Sequence, residues 1–264
     1  MNSKLSPLKL AIMLTIMAAL FVGCGDKAAK GPQSLAPQTA AAKGSTETAT
    51  GKSKVKAAAT DAQSITVLVN KEFALPDDYK PKDLVYPDVR FTFNEKIEKR
   101  MMRKEAAKAL EEMFTAAKKD KIYLAGVSAY RSHSTQTKLF NRYVKKDGEA
   151  KAKTYSAVPG HSEHETGLSI DVSGSDGKCA AESCFGDTKE AAWLAKHATE
   201  YGFIIRYPEG KQAITGYKYE PWHIRYVGKE IAADIAKRDI TLEEYYNAIP
   251  VSAQKGTGDS GKKK

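Results

Sequence analysis

An aspartate set inside an apolar run constrains this chain more than any other feature. Residues 168–172 read Leu-Ser-Ile-Asp-Val, short and apolar enough for a buried strand that carries Asp171 within it. A carboxylate there is costly unless it is paired or bound to a cation. The stretch leading into it, Pro159-Gly-His-Ser-Glu-His-Glu-Thr-Gly-Leu-Ser-Ile-Asp171, offers His164 as a co-ligand seven positions upstream. Extended chain would hold the two about 23 Å apart, whereas ligands of one ion lie a few Å from each other. The chain must fold back between them, and Gly167 is placed to allow that turn.

A second constellation, Tyr219-Glu-Pro-Trp-His-Ile-Arg-Tyr-Val-Gly228, completes a metal-site pattern. Pro221 biases Glu220 toward an extended or turn conformation just before a strand that His223 begins, with Arg225 and Val227 on the same face. Catalytic zinc takes three protein ligands, an open position for water and a base for the water's proton. His164, Asp171 and His223 are the candidate ligands, and Glu220 is the candidate base. Single histidines in an exported protein are more often structural, so the combined pattern carries the argument. Taken apart, Glu220 would serve as a cap or ion-pair residue and Arg131 as a surface ion-pair partner. His133 and His197 belong to helix or loop, His161 rims the site, and Trp222 is core or pocket wall.

These residues resemble the VanY-type D-alanyl-D-alanine carboxypeptidases, a peptidase family (M15B) that includes L,D-carboxypeptidase relatives. The resemblance rests on S-x-H-x-x-G-x-x-x-D at Ser162–Asp171, E-x-W-H at Glu220–His223, and the upstream Ser128-Ala-Tyr-Arg-Ser-His-Ser-Thr-Gln136. It implies zinc held by His164, Asp171 and His223, and Glu220 as general base. Arg131 would steady the scissile carbonyl or the substrate carboxylate, with Ser132, Gln136 and Ser162 as further substrate contacts. It also implies an α+β fold of the zinc D,D-peptidase (hedgehog-like) type, a small antiparallel sheet flanked by helices. The implied activity is removal of the C-terminal D-alanine from peptidoglycan stem peptides, as a D,D-carboxypeptidase. An L,D-carboxypeptidase acting on tetrapeptide stems is the alternative, because the zinc motifs do not separate the two and the Leu68–Pro76 phrase resembles members of both. A non-catalytic wall-binding lipoprotein is a third reading, which the presence of Glu220 opposes.

The ends of the chain bear on where it works. Lys4 and Lys9 precede the apolar run Leu10–Val22 and then Gly23-Cys24, too short for a spanning helix and suited to export. The small residue before Cys24 resembles a bacterial lipobox, with Phe21 where leucine is usual; an ordinary signal peptide or an uncleaved anchor is the alternative. The expected organisation is a signal segment over 1–23, a lipidated Cys24 opening a disordered tether over 24–63, a catalytic domain over 64–250 and a disordered tail over 251–264. The protein is then extracytoplasmic, lipid-anchored to the bacterial membrane and a monomer.

The chain's formal charge is +10, but its two ends hold twelve of the 42 basic and four of the 32 acidic residues, leaving 64–250 at only +2. A nucleic-acid binder would concentrate its charge on the domain, so that class is set aside. After export, Cys179 and Cys184 are expected to pair across Ala-Ala-Glu-Ser, ahead of two free thiols; C-x4-C alone is a weak zinc signal.

Periodicity predicts a helix over about Asn94–Lys119, with Ala106, Leu110, Met113, Phe114 and Ala117 on one face. Further helices are expected at Thr135–Lys146, Thr188–Tyr201 and Lys229–Lys237. Strand-like runs fall at Ser64–Val69, Ile122–Ser128, Leu168–Val172, Phe203–Arg206 and His223–Val227, with a long loop over Lys151–Thr166. The uneven mixture argues α+β without a βαβ rhythm.

Overall fold

The computed structural model of this protein describes residues 59–248. The expected signal segment, Cys24, the tail and most of the tether lie outside the described residues. Ala59 is already buried, so packing begins ahead of position 64.

In chain order the elements are β1 (Leu84–Val85), β2 (Met102–Arg103), α1 (Lys104–Lys119), β3 (Leu124–Ser128), α2 (His133–Asp147) and α3 (Glu149–Tyr155). Then come β4 (Ser169–Gly174), α4 (Lys189–His197), β5 (Phe203–Ile205), α5 (Gln212–Thr215), β6 (His223–Tyr226), α6 (Lys229–Arg238) and α7 (Leu242–Tyr245). Four strands form an antiparallel sheet in the order β3-β4-β6-β5, while β1 and β2 make a separate hairpin-like pair. The fold is α+β, as the residue pattern implies.

The predicted apolar face of α1 is buried in full. It packs with Leu168 and with Ile170, Val172, Phe203 and Ile224 of the sheet in one core. Burial of such faces supplies about 25 cal/mol per Å² and holds the sheet rigid beneath the site. A smaller core joins Leu68, Ile204, Val227, Ile235 and Leu242 under α6 and α7. All six residues of β4 are buried, so Asp171 is enclosed as its apolar setting requires.

Four local expectations differ from the structure, the first two because tertiary partners claim the backbone. The helix expected from Asn94 begins at Lys104, because the preceding backbone is occupied elsewhere. Lys99 and Met101 carbonyls accept from Ala129 and Tyr130, Arg103 donates to Gly167, and Arg103 pairs with Leu84 in β2. Ser64–Val69 is not a strand. Its Ile65, Val67 and Val69 carbonyls accept from the guanidinium groups of Arg225 and Arg206, not from a neighbouring strand. The expected loop over Lys151–Thr166 contains the end of α3 and a 3-10 turn at Glu163–Thr166. Thr188–Tyr201 is helical to His197 and then tightens into a 3-10 turn before Gly202 in the left-handed region.

Candidate metal centre and cleft

Gly167 makes the reversal that the site needs. It closes the Glu163–Thr166 turn at φ +69°, and a Cβ there would lie 2.9 Å from Leu84 Cδ2. Glycine is required on both counts. The chain then enters β4, and the register places Asp171 directly opposite His223 of β6. Residues 52 positions apart thus meet across one antiparallel pair.

His164, Asp171 and His223 are all buried and present ligand atoms within 4.8 Å of one another. His223 Nδ1 lies 2.9 Å from Asp171 Oδ1, and His164 Nε2 lies 3.4 Å from Asp171 Oδ2. The remaining ring nitrogens are fixed from behind: His164 Nδ1 donates to the Ala129 carbonyl at 2.8 Å, and His223 Nε2 to Glu163 Oε2 at 3.3 Å. This is the usual arrangement of metal-binding histidines, whose outer N–H is held by a carbonyl or carboxylate. Two imidazole nitrogens and one carboxylate oxygen with cleft on the open side form a zinc donor set.

In the metal-free site the three donors shift one another's charge. Burial disfavours charged His223, yet its hydrogen bonds and attraction to Asp171 and Glu163 win and push it up to about 9. Burial would raise Asp171, but His164 and His223 hold it far below the usual carboxylate range. For His164 burial dominates over attraction to Asp171 and lowers its pKa.

Glu163 and Glu165, either side of His164, face inward and pin the turn. Glu165 pairs with His133 Nδ1 at 2.9 Å and accepts from the Gly160 N–H at 2.9 Å. Glu163 accepts from Arg206 Nε and Arg225 Nη1, both at 2.7 Å, and from the Ser169 hydroxyl. Arg206 reaches on to Glu243 through two bonds of 2.9 and 2.6 Å, and Glu243 accepts from Asn70. Sequence reasoning assigned none of these roles. The alternation Glu-His-Glu was visible, but Glu163, Arg206 and Glu243 lie too far apart in sequence to form a pattern.

A cleft of roughly 300 Å³ opens over the metal centre, with Arg131, Ser162, Tyr207, Glu220, Trp222 and His223 among its walls. Glu220 is anchored by its main chain, donating to Tyr207 O and accepting from His223 N. Its carboxylate makes no hydrogen bond among the described residues. Burial, opposed by His223 and reinforced by Asp171 and Glu163, pushes it up to about 7. Arg131 donates its main-chain N–H to His164 O and its Nη1 to Gln136 Oε1 at 2.8 Å.

The other expected contacts divide. Ser162 lines the cleft. Gln136 is fully buried and holds Arg131 from behind while donating to Ala157 O. Ser132 caps α2, accepting from Thr135 N, and donates its hydroxyl to Glu98. That hydroxyl is engaged in structure, because the helix start needs an acceptor. His161 lies at the cleft wall with its Nδ1 on Asn70 O. Cys179 and Cys184 are joined in a disulfide, with Ala181 of the enclosed loop against the cleft.

Residues 99–229 match the family described as VanY, D-alanyl-D-alanine carboxypeptidase. The chain is 52% identical over 187 residues to YodJ of Bacillus subtilis (strain 168), a carboxypeptidase by name, covering 71% of this chain and 68% of that one. Among solved structures it is similar to the LdcB LD-carboxypeptidase, at 51% identity and TM-score 0.69, over 72% of this chain and 89% of that one. It is also similar to the vancomycin-resistance D,D-pentapeptidase VanY solved with Zn(II), at 32% identity and TM-score 0.54, over 68% and 97% of the two chains. Zinc thus accompanies this fold in a relative, and the His164, Asp171 and His223 donors fit it. With the motifs, the folded core and these likenesses in agreement, the chain belongs to the VanY D-alanyl-D-alanine carboxypeptidase family.

Proposed function

We propose that this protein is a zinc carboxypeptidase that releases the C-terminal D-alanine from peptidoglycan stem peptides. The carrying observation is the convergence of His164, Asp171 and His223 beneath a cleft that also presents an unpaired Glu220 carboxylate. A zinc ion at these three residues contributes Lewis acidity and a bound water of lowered pKa. Glu220, poised near neutrality, accepts a proton from the attacking water and returns it to the leaving amine. Arg131, oriented by Gln136, donates to the scissile carbonyl oxygen as that oxygen gains charge. Ser162 contacts substrate from the cleft wall.

The preferred stem is a separate question. The motifs alone favoured the D,D reading, whereas 51% identity to LdcB supports L,D cleavage of the tetrapeptide stem more strongly than the 32% identity to VanY supports D,D cleavage. Tetrapeptide is therefore the substrate we put first. The signal segment and Cys24 support a lipid-anchored position at the outer face of the membrane.

D-alanine release from pentapeptide and tetrapeptide stems by the zinc-loaded protein tests this. Release that a chelator stops and that Glu220→Gln slows by about 10²–10⁴-fold is expected, faster on the tetrapeptide. Release from neither stem refutes the enzyme reading, and preference for the pentapeptide restores the D,D assignment. Labelling of the wild-type chain but not Cys24→Ala by a lipid precursor checks the anchor.

A further inference from the structure

The cleft does not end at Arg131. A recess of about 580 Å³ adjoins it, and Arg131, Leu139, Tyr143, Asp171 and Ala181 line both. Its walls carry Lys99, Arg131, Lys138 and Arg142 against the carboxylates of Glu98 and Asp171. Both carboxylates are engaged: Asp171 faces the two histidines, and Glu98 accepts from the Ser132 and Thr135 hydroxyls. The cations are less constrained. Lys99 and Arg142 lie over the rings of Phe93 and Tyr143, and neither they nor Lys138 forms an ion pair among the described residues. Lys138 and Arg142 stand four apart on α2, where like charges repel, so helix stability gives no reason for the pair.

Ser128 points to a ligand independently. It is 4% exposed, it lines the recess, and its hydroxyl has no partner among the described residues. A buried hydroxyl left unpaired is unfavourable unless something else bonds it. A break in strand register accounts for its position. Pairing steps from Gly126 opposite Val172 to Ser128 opposite Asp171, so β3 advances two residues while β4 advances one. Without that bulge the apolar Val127 would oppose Asp171. The bulge instead sets the Ser128 side chain on the same sheet face as the metal-site carboxylate.

We propose that this recess binds a carboxylate carried on the acyl side of the scissile bond, through the Ser128 hydroxyl and the cations Lys99, Lys138 and Arg142. The recess is larger than the roughly 300 Å³ cleft over the metal centre and too large for the one small residue that is released, so it suits the chain that continues upstream. The assignment rests on the carboxypeptidase reading and adds to it the chemical feature that selects the substrate.

The test uses the zinc-loaded protein and two synthetic acylated peptides ending in D-alanine, identical except that one acyl-side carboxylate is an amide in the second. The acid peptide is expected to have the higher kcat/KM by at least about tenfold, carried by KM, as for a charge-assisted bond. The ratio should shrink toward one in Lys138→Gln/Arg142→Gln and, separately, in Ser128→Ala, and should fall with added salt. Equal cleavage of the two peptides by the wild type overturns the subsite, as does a ratio that survives in both variants. Cleavage of neither overturns the carboxypeptidase reading and the subsite with it, which distinguishes the two failures.

Discussion

Replacing Glu163 by glutamine tests how much of the metal centre depends on charge buried behind it. Glu163 and both guanidinium partners, Arg206 and Arg225, have fully buried side chains. Arg206 keeps Glu243, but Arg225 is left with main-chain carbonyls only. Breaking a buried pair from one side costs about 3–5 kcal/mol, because the stranded charge cannot recover its water. For a domain of this size each kcal/mol lowers Tm by about 2–4 °C, so a fall of roughly 6–20 °C is expected at neutral pH.

With the amide oxygen kept on the two arginines, which donate to Oε1, the same change turns an NH2 donor toward His223 Nε2–H in place of Oε2, which predicts about a 10–100-fold loss of zinc affinity. Acid should act in the same direction on the metal-free wild type. Burial would raise the Glu163 carboxyl, but Arg206, Arg225 and His223 outweigh it and hold it well below its ordinary value. A depressed carboxyl contributes stability that is present above its unfolded pKa, about 4.3, and lost as pH falls below it. Calorimetry of chelated wild type and Glu163→Gln between pH 7 and 3, with zinc competition titrations at pH 7, measures all three effects. A Tm within about 2 °C of wild type at pH 7, with unchanged zinc affinity, would refute the reasoning, since it would mean that the buried arginines do not need this carboxylate.

Other changes probe separate links. Glu220→Gln should retain zinc and lower kcat by about 10²–10⁴-fold, read by metal analysis beside D-alanine release. The wild-type kcat/KM should rise with pH as Glu220 loses its proton, with the acid limb's midpoint below the value near 7 of the metal-free site, because a nearby cation favours the carboxylate. Gly167→Ala combines a strained φ of +69° with a 2.9 Å approach to Leu84, and should cost about 2–4 kcal/mol in chemical denaturation. Replacing Cys179 and Cys184 by alanine opens a short loop, and should lower stability by about 2 kcal/mol and raise KM through Ala181 at the cleft wall.

The sequence by itself picked out the candidate reacting groups. His164, Asp171, His223 and Glu220 are legible because metal ligands and a base need particular side chains, and because an aspartate in an apolar strand demands a partner. Gly167 is legible because only the chain reversal it permits can bring His164 to Asp171, and the core face of α1 because helical period repeats locally. Tertiary structure alone decided what holds those groups in place. Nothing local to Asn94–Arg103 shows that its carbonyls and amides are claimed by Ala129, Tyr130 and Gly167, so the helix starts later than its periodicity suggests. That Ser132 caps a helix, and that Glu163 joins two arginines 43 and 62 residues away, is not written in the local sequence. Side-chain type and short spacing are written in the chain, but the partners of a buried charge are chosen by packing across distant segments, where no sequence period operates.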